Sequence, residues 1–361
     1  MSLTWNQFQQ WGFNAVRKSL SGNQPLWVFT GCELTDESAV RDRVQGYRQE
    51  PKTVAYYIAD EPISSSHIPS STLRTVYNAV KEEDPYHPAG WVDVTSTSEG
   101  DRQEDWSGYG GTSDFIMIDT YPCFTHVTWL GNIANNFEQL HDPSLGVVDN
   151  FEFVDVPTWG VPQIFQSSTW RWPNTQEERN MVYQYVTLGS KSLFPYKYEG
   201  DNLYLWDYYG NTLVPELKSI EAALFASRKA GTGVVYPENH ISVSSSDPDI
   251  LVWSYRITDE KEYLFLINPS SKWNKSLSSV PAPSDRTISV DITFYNPGSN
   301  QVEALIKDDG TPQTYNLNGG RLSLKLGGVN DTSSGVLVLS RTRQGFNPEA
   351  PSSPQGLRLQ D

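Results

Sequence analysis

The chain has 361 residues, room for one large domain and a smaller one. Its 27 Lys and Arg against 43 Asp and Glu give a formal net charge of -16, and no basic stripe breaks that balance, which argues against a nucleic-acid partner. No apolar run reaches membrane-spanning length, and the two cysteines, Cys32 and Cys123, exclude a disulfide framework and leave room for one bridge at most.

From residue 4 to about 230, strand-like runs alternate with amphipathic helical ones. F-N-A-V-R-K-S-L (13–20) and L-W-V-F-T-G (26–31) read as strands, and E-S-A-V-R-D-R-V-Q-G-Y-R (37–48) reads as the helix that follows them. V-A-Y-Y-I-A (54–59) is almost free of polar residues, the pattern of a strand covered on both faces, and it ends on Asp60, Glu61 and Pro62. T-L-R-T-V-Y-N-A-V-K-E-E-D (72–84) has helical apolar spacing. Strands are expected at 88–93, 114–119, 161–166 and 191–198, the last after the helix E-E-R-N-M-V-Y-Q-Y-V-T-L-G (177–189). Repeated strand, helix and strand with right-handed crossovers implies a parallel sheet, and this number of units implies a (β/α)8 TIM-type barrel over residues 4–230. A complete barrel needs its first strand within residues 1–5 or upstream of them.

Beyond residue 230 the apolar period becomes two. Runs at 251–257, 262–268, 287–295, 301–306, 321–326 and 335–340, separated by Gly, Pro, Asn and Asp, predict an all-β sandwich over 231–341. It carries no catalytic cluster and reads as an accessory domain. Residues 342–361 form a Pro/Ser-rich tail, which suggests part of a longer, multidomain and secreted protein.

Two adjacent carboxylates at a strand end point into the mouth of a parallel sheet or barrel. Asp60 has a second reading, as the cap of the helix that opens near Ser70. Aromatic residues make up 12% of the chain, with 12 Trp and 19 Tyr, many beside turns. Flat rings with one polar edge stack on sugar faces, so a carbohydrate ligand gains weight. The histidines lack partners at metal-ligand spacing, and there is neither a phosphate-binding glycine loop nor a G-x-S-x-G elbow, so no metal or cofactor is expected.

Counting 13–20 as the second strand, Asp60-Glu61-Pro62 closes the fourth. Here the chain resembles the large clan of (β/α)8-barrel glycoside hydrolases whose fourth strand ends in Asn-Glu-Pro. W-G-F-N-A-V (11–16), D-P-Y-H-P (84–88), I-D-T-Y-P (118–122), R-W-P-N-T-Q-E-E-R-N-M (171–181) and F-P-Y-K-Y-E (194–199) resemble an uncharacterised branch of such barrels. The resemblance implies hydrolysis of an oligo- or polysaccharide, with Glu61 as the acid. One departure matters: the clan's second carboxylate, a Glu ending the seventh strand, is matched here by Gln166, and an amide can neither form a glycosyl ester nor deprotonate water. The remaining strand-end acids are Glu33, Asp93, Asp119 and Glu199. Asp119 is the expected partner, because F-I-M-I precedes it and Tyr121-Pro122 would hold the next loop; its other reading is a turn residue paired with Arg171. Two-carboxyl glycoside cleavage needs a protonated donor and an anion, here Glu61 and Asp119. Asp60, Trp91, Tyr121, Gln166, Trp170, Arg171, Tyr198 and Glu199 are the expected sugar-binding groups. A non-catalytic carbohydrate-binding barrel is the alternative.

Overall fold

The computed structural model describes residues 9–10, 26–29, 36–94, 106, 108–125, 128–141, 156–197, 203–232, 241–271, 286–296, 298–308, 310, 313–330 and 332–344. Six parallel strands pair in sequence order: β1 (Leu26–Phe29), β2 (Thr53–Asp60), β3 (Ala89–Asp93), β4 (Phe115–Ile118), β5 (Thr158–Gly160) and β6 (Ser192–Leu193). Consecutive parallel neighbours joined by helices are the arrangement of a barrel wall. Among the described residues, helices α1 (Glu37–Tyr47), α2 (Ser70–Glu83), α3 (Asn132–His141) and α4 (Thr175–Leu188) follow β1, β2, β4 and β5, and shorter helical segments lie beyond β6. The strand expected at 13–20 lies outside the described residues.

Alternation divides the sheet into two faces. Tyr56, Ile58, Trp91, Ile116 and Ile118 pack outward against the helices, while Ala55, Tyr57, Val92, Phe115, Met117 and Val161 form a small inner core. Two close approaches require glycine. A Cβ on Gly160 would stand 2.3 Å from Cγ of Tyr185, and one on Gly90 would stand 2.3 Å from the carbonyl oxygen of Phe115.

The strand expected at 161–166 is found three residues earlier, at β5. Pro162 has no N–H for a ladder, so pairing ends at Gly160 and the chain continues in an extended, irregular path. The buried Gln163 side chain takes over the tie between segments. Its Oε1 accepts from the Cys123 amide at 3.0 Å and its Nε2 donates to the Arg171 carbonyl at 2.9 Å. The strand expected over 191–198 is likewise reduced to Ser192–Leu193 and an isolated bridge between Gln163 and Tyr196. Cys123 is a free, buried thiol.

The second part begins already at β7 (Ser227–Gly231) and continues with β8 (Ile241–Ser245), β9 (Val252–Ile257), β10 (Lys261–Ile267), β11 (Ile288–Phe294), β12 (Gln301–Ile306), β13 (Gln313–Asn316), β14 (Arg321–Leu326) and β15 (Val336–Thr342). They make an antiparallel sheet of order β13-β12-β15-β10-β9-β7 facing a three-stranded sheet of order β14-β11-β8. On β10, Leu264 and Leu266 face the smaller sheet, whereas Tyr263, Phe265 and Ile267 belong to the core shared with the helices.

That double burial explains α4. Its start is fixed by a capping box between Asn174 and Glu177, and its end by Gly189 in the left-handed region. Between them every residue from Glu177 to Leu188 is buried, because the helix is pressed between the parallel sheet and the antiparallel one. Its polar residues serve as ties across that junction. Arg179 bonds Glu216 at 2.9 Å, Asp308 at 2.9 Å and Ser334 Oγ at 2.8 Å, and Asn180 Nδ2 donates to the Ser334 carbonyl at 2.6 Å. No helix among the described residues is long and apolar enough to cross a membrane.

Candidate active site

The site is built at the C-terminal ends of the parallel strands. In β2 the pairing with β3 runs Tyr57 to Gly90 and then Ala59 to Trp91, so Ile58 is an extra, bulged residue. The bulge reverses the alternation. Ala59 joins the outer core and Asp60 turns inward beside Tyr57, whose hydroxyl donates to Asp60 Oδ1 at 2.7 Å. Glu61 follows at φ 41°, a left-handed conformation costly for a residue with a Cβ. It is held there by its neighbours. Its amide donates to the Val92 carbonyl at 2.9 Å, and its own carbonyl accepts from Ser65 and Ser66 at 3.2 and 2.8 Å. The Ser65 hydroxyl donates to Glu61 Oε2.

Asp93, fully buried at the end of β3, clamps the same loop. Its carboxylate accepts from the amides of Ile63 at 2.7 Å, Val94 at 2.8 Å and Ser64 at 3.3 Å. These bonds favour the charged form, but burial outweighs them and pushes its pKa up to about 7. The sequence singled it out only as one strand-end acid among several.

Asp119 stands just beyond β4 and is 4% exposed. Tyr121 donates to its Oδ2 at 3.2 Å, while Oδ1 has no hydrogen-bond partner among the described residues. Burial first, then the charges of Glu61 and Asp93, raise its pKa well above the ordinary carboxylate range. Like charges gathered around a desolvated carboxyl disfavour its ionisation.

Beside the pair lies a cavity of about 350 Å³ lined by Tyr57, Asp60, Tyr121, Phe165, Gln166 and Trp170, with Phe194, Tyr196 and Lys197 completing the wall. Tyr121 organises the rings. It meets Phe165 edge-on at 4.7 Å, Trp170 edge-on at 6.0 Å and Tyr196 in a stack at 6.0 Å. Trp170 is fixed by Nε1 donating to the Tyr121 carbonyl at 3.1 Å. The paired rings, Phe165 buried and the others half-buried, give an apolar wall, and Asp60 and Gln166 supply polar groups at its edge.

Of the residues expected here, Glu61, Asp119, Asp60, Tyr121, Gln166 and Trp170 are brought together. Tyr198 and Glu199 lie outside the described residues. Trp91 is elsewhere: it points to the helix side, fully buried against Trp106 at 5.0 Å, with Nε1 bonded to Thr112 Oγ1 at 3.1 Å. No sugar reaches it. Arg171 is committed to Glu177 at 2.8 Å and to Thr128, so it braces the start of α4 and neither lines the cleft nor pairs with Asp119. The cap reading of Asp60 is also set aside, since α2 starts at Pro69 without a side-chain cap. Sequence reasoning missed Ser65, Phe165 and Tyr196; the S-S-S run after Asp60-Glu61-Pro62-Ile63 was the available signal for the first.

No family model matches the sequence, and a search of curated proteins found no match. Solved structures similar to the chain are glycoside hydrolases. One is a family 5 glycoside hydrolase from Bacteroides vulgatus, at 11% identity and a TM-score of 0.48, covering 96% of this chain and 86% of that one. Another is a family 39 glycoside hydrolase from Bacteroides cellulosilyticus, at 11% identity and 0.48, covering 94% and 77%. A glucosidase from Croceicoccus marinus matches at 12% identity and 0.44, covering 89% and 79%.

Proposed function

We propose that this protein hydrolyses glycosidic bonds of an oligo- or polysaccharide, with Asp119 and Glu61 as the two working carboxyls and the six parallel strands as part of a (β/α)8 barrel. The observation that supports this most is the pair itself: a buried carboxyl, Asp119, pushed toward its protonated form by burial and by the charge of Glu61, with both groups lining a ring-walled cavity large enough for a sugar. The roles follow from the surroundings and exchange those expected from sequence. Asp119, pushed toward its protonated form, takes the general-acid role, and Glu61, whose Oε2 accepts from Ser65, takes the nucleophile role.

In the first step the Asp119 proton moves to the glycosidic oxygen as the bond to the anomeric carbon breaks and its electron pair stays with that oxygen. A Glu61 oxygen bonds the anomeric carbon. Asp119, now a carboxylate, then takes a proton from water, whose oxygen displaces Glu61 and restores both groups. Tyr121 and Trp170 form the stacking wall, with Asp60 and Gln166 as hydroxyl-binding groups.

Aryl glycosides with phenols of graded acidity test the assignment. Asp119→Asn should retain much of its turnover on the most acidic phenol and lose it on the least acidic one, whereas Glu61→Gln should lose both. The opposite pattern returns the acid role to Glu61. A second reading, a sugar-binding module, is favoured by Gln166 standing where the resembled clan has its second carboxylate. Sugar binding by calorimetry with no turnover of any glycoside by the unmodified protein would select it.

A further inference from the structure

On the other side of the carboxyl pair lies a smaller cavity, of about 200 Å³, between the loop after β2 and the first turn of α3. Glu61, Asp119, Tyr121 and Trp170 line both cavities, so the two compartments meet at the pair. Their walls differ in kind. The larger is mostly aromatic, while the smaller carries Ser64, Ser65, Asn132 and Asn136. Asn132 and Asn136 are buried to 2% and 0% exposure, and Asn132 Oδ1 has no hydrogen-bond partner among the described residues. A buried carbonyl without a donor is a cost that an apolar side chain at the same place would avoid. Carboxamides and hydroxyls both donate and accept, which is what the hydroxyls of a sugar ring require of a partner.

We propose that this polar compartment is a second sugar subsite, so that the substrate is at least two units long and lies across the carboxyl pair, one ring against the aromatic wall and the next held through its hydroxyls by Asn132, Asn136 and the Ser64–Ser65 turn. This rests on the glycosidase reading for the position of the scissile linkage, but the subsite itself is a matter of binding. The apolar cavity grips ring faces, and the polar one selects hydroxyl configuration. A linkage that joins the two rings is thereby placed over Asp119 and Glu61.

Calorimetric titration of Asp119→Asn protein, in which disaccharides with their poor leaving groups are not turned over, with glucose, mannose, xylose and galactose and with their homodisaccharides tests this. At least one disaccharide should bind about tenfold more tightly than its own monosaccharide. Adding Asn132→Ala should cut that advantage about fivefold, the loss of one or two hydrogen bonds, while monosaccharide affinity stays within about twofold. Asn132→Ser, which keeps a donor and acceptor, should restore part of it. No disaccharide preferred over its monosaccharide, or equal losses on both, overturns the subsite. Failure of the hydrolase reading shows differently: the disaccharide preference and its sensitivity to Asn132 would be present while the unmodified protein cleaved none of these sugars.

Discussion

Replacing Asp93 by Asn should change the sign of its stability effect with pH. In the folded protein burial raises the Asp93 pKa from 3.8 to about 7. A raised carboxyl contributes stability that is fully present below the unfolded pKa and is lost as pH rises through the folded one. Between pH 5 and about pH 7 the folded state therefore loses about two pH units' worth of proton linkage, or about 3 kcal/mol at about 1.4 kcal/mol per unit. Above pH 8 there is little left to lose. Asn keeps one acceptor for the Ile63 amide but turns an N–H₂ group toward a donor, a penalty of about 1–2 kcal/mol at every pH. Denaturant unfolding at pH 5 and 8.5 should therefore find Asp93→Asn less stable than the unmodified protein at the lower pH and more stable at the higher. The difference between the two proteins, rather than either curve, isolates Asp93, because Asp119 contributes a pH dependence of the same sign. Parallel stability curves for the two proteins would refute the reasoning and would mean that the Ile63, Ser64 and Val94 amides hold Asp93 ionised throughout.

Two further outcomes follow from packing. Arg179→Ala leaves Glu216 and Asp308 without their shared cation at the junction of the two sheets, and should cost about 3 kcal/mol; limited proteolysis should then open residues 203–232 faster than in the unmodified protein. Gly160→Ala drives a Cβ into the Tyr185 ring, backed by rigid strand, and should cost about 2–3 kcal/mol by thermal unfolding, whereas Gly46→Ala, with open space around it, should be neutral or slightly stabilising.

The run from Val54 to Pro62 shows how far the sequence reached. An apolar stretch with strand-forming residues and acids at its end can only be a buried strand opening at the surface, and β2 is that strand. The same holds for Phe115–Ile118 before Asp119, for the helices at 70–83 and 175–188, and for the change to period two that announces the antiparallel sheets. These are local properties: periodicity and end signals are written in neighbouring residues. What tertiary structure decided is which side chains meet. The bulge at Ile58 turns Asp60 inward and sets Glu61 at positive φ, and no local pattern marks it. Trp91 and Val92 are adjacent in sequence yet face opposite sides, and only the position of the helices makes Trp91 core. Arg171 looked available until the capping-box residue Glu177 claimed it, and Pro162 ended a strand whose composition promised three more residues. Above all, the raised pKa of Asp119 depends on burial by segments far apart in the chain and on the charge of Glu61, 58 residues away in sequence. Desolvation and charge proximity are sums over the folded surroundings, so sequence supplied the two acids while the fold determined which of them is pushed toward the protonated form.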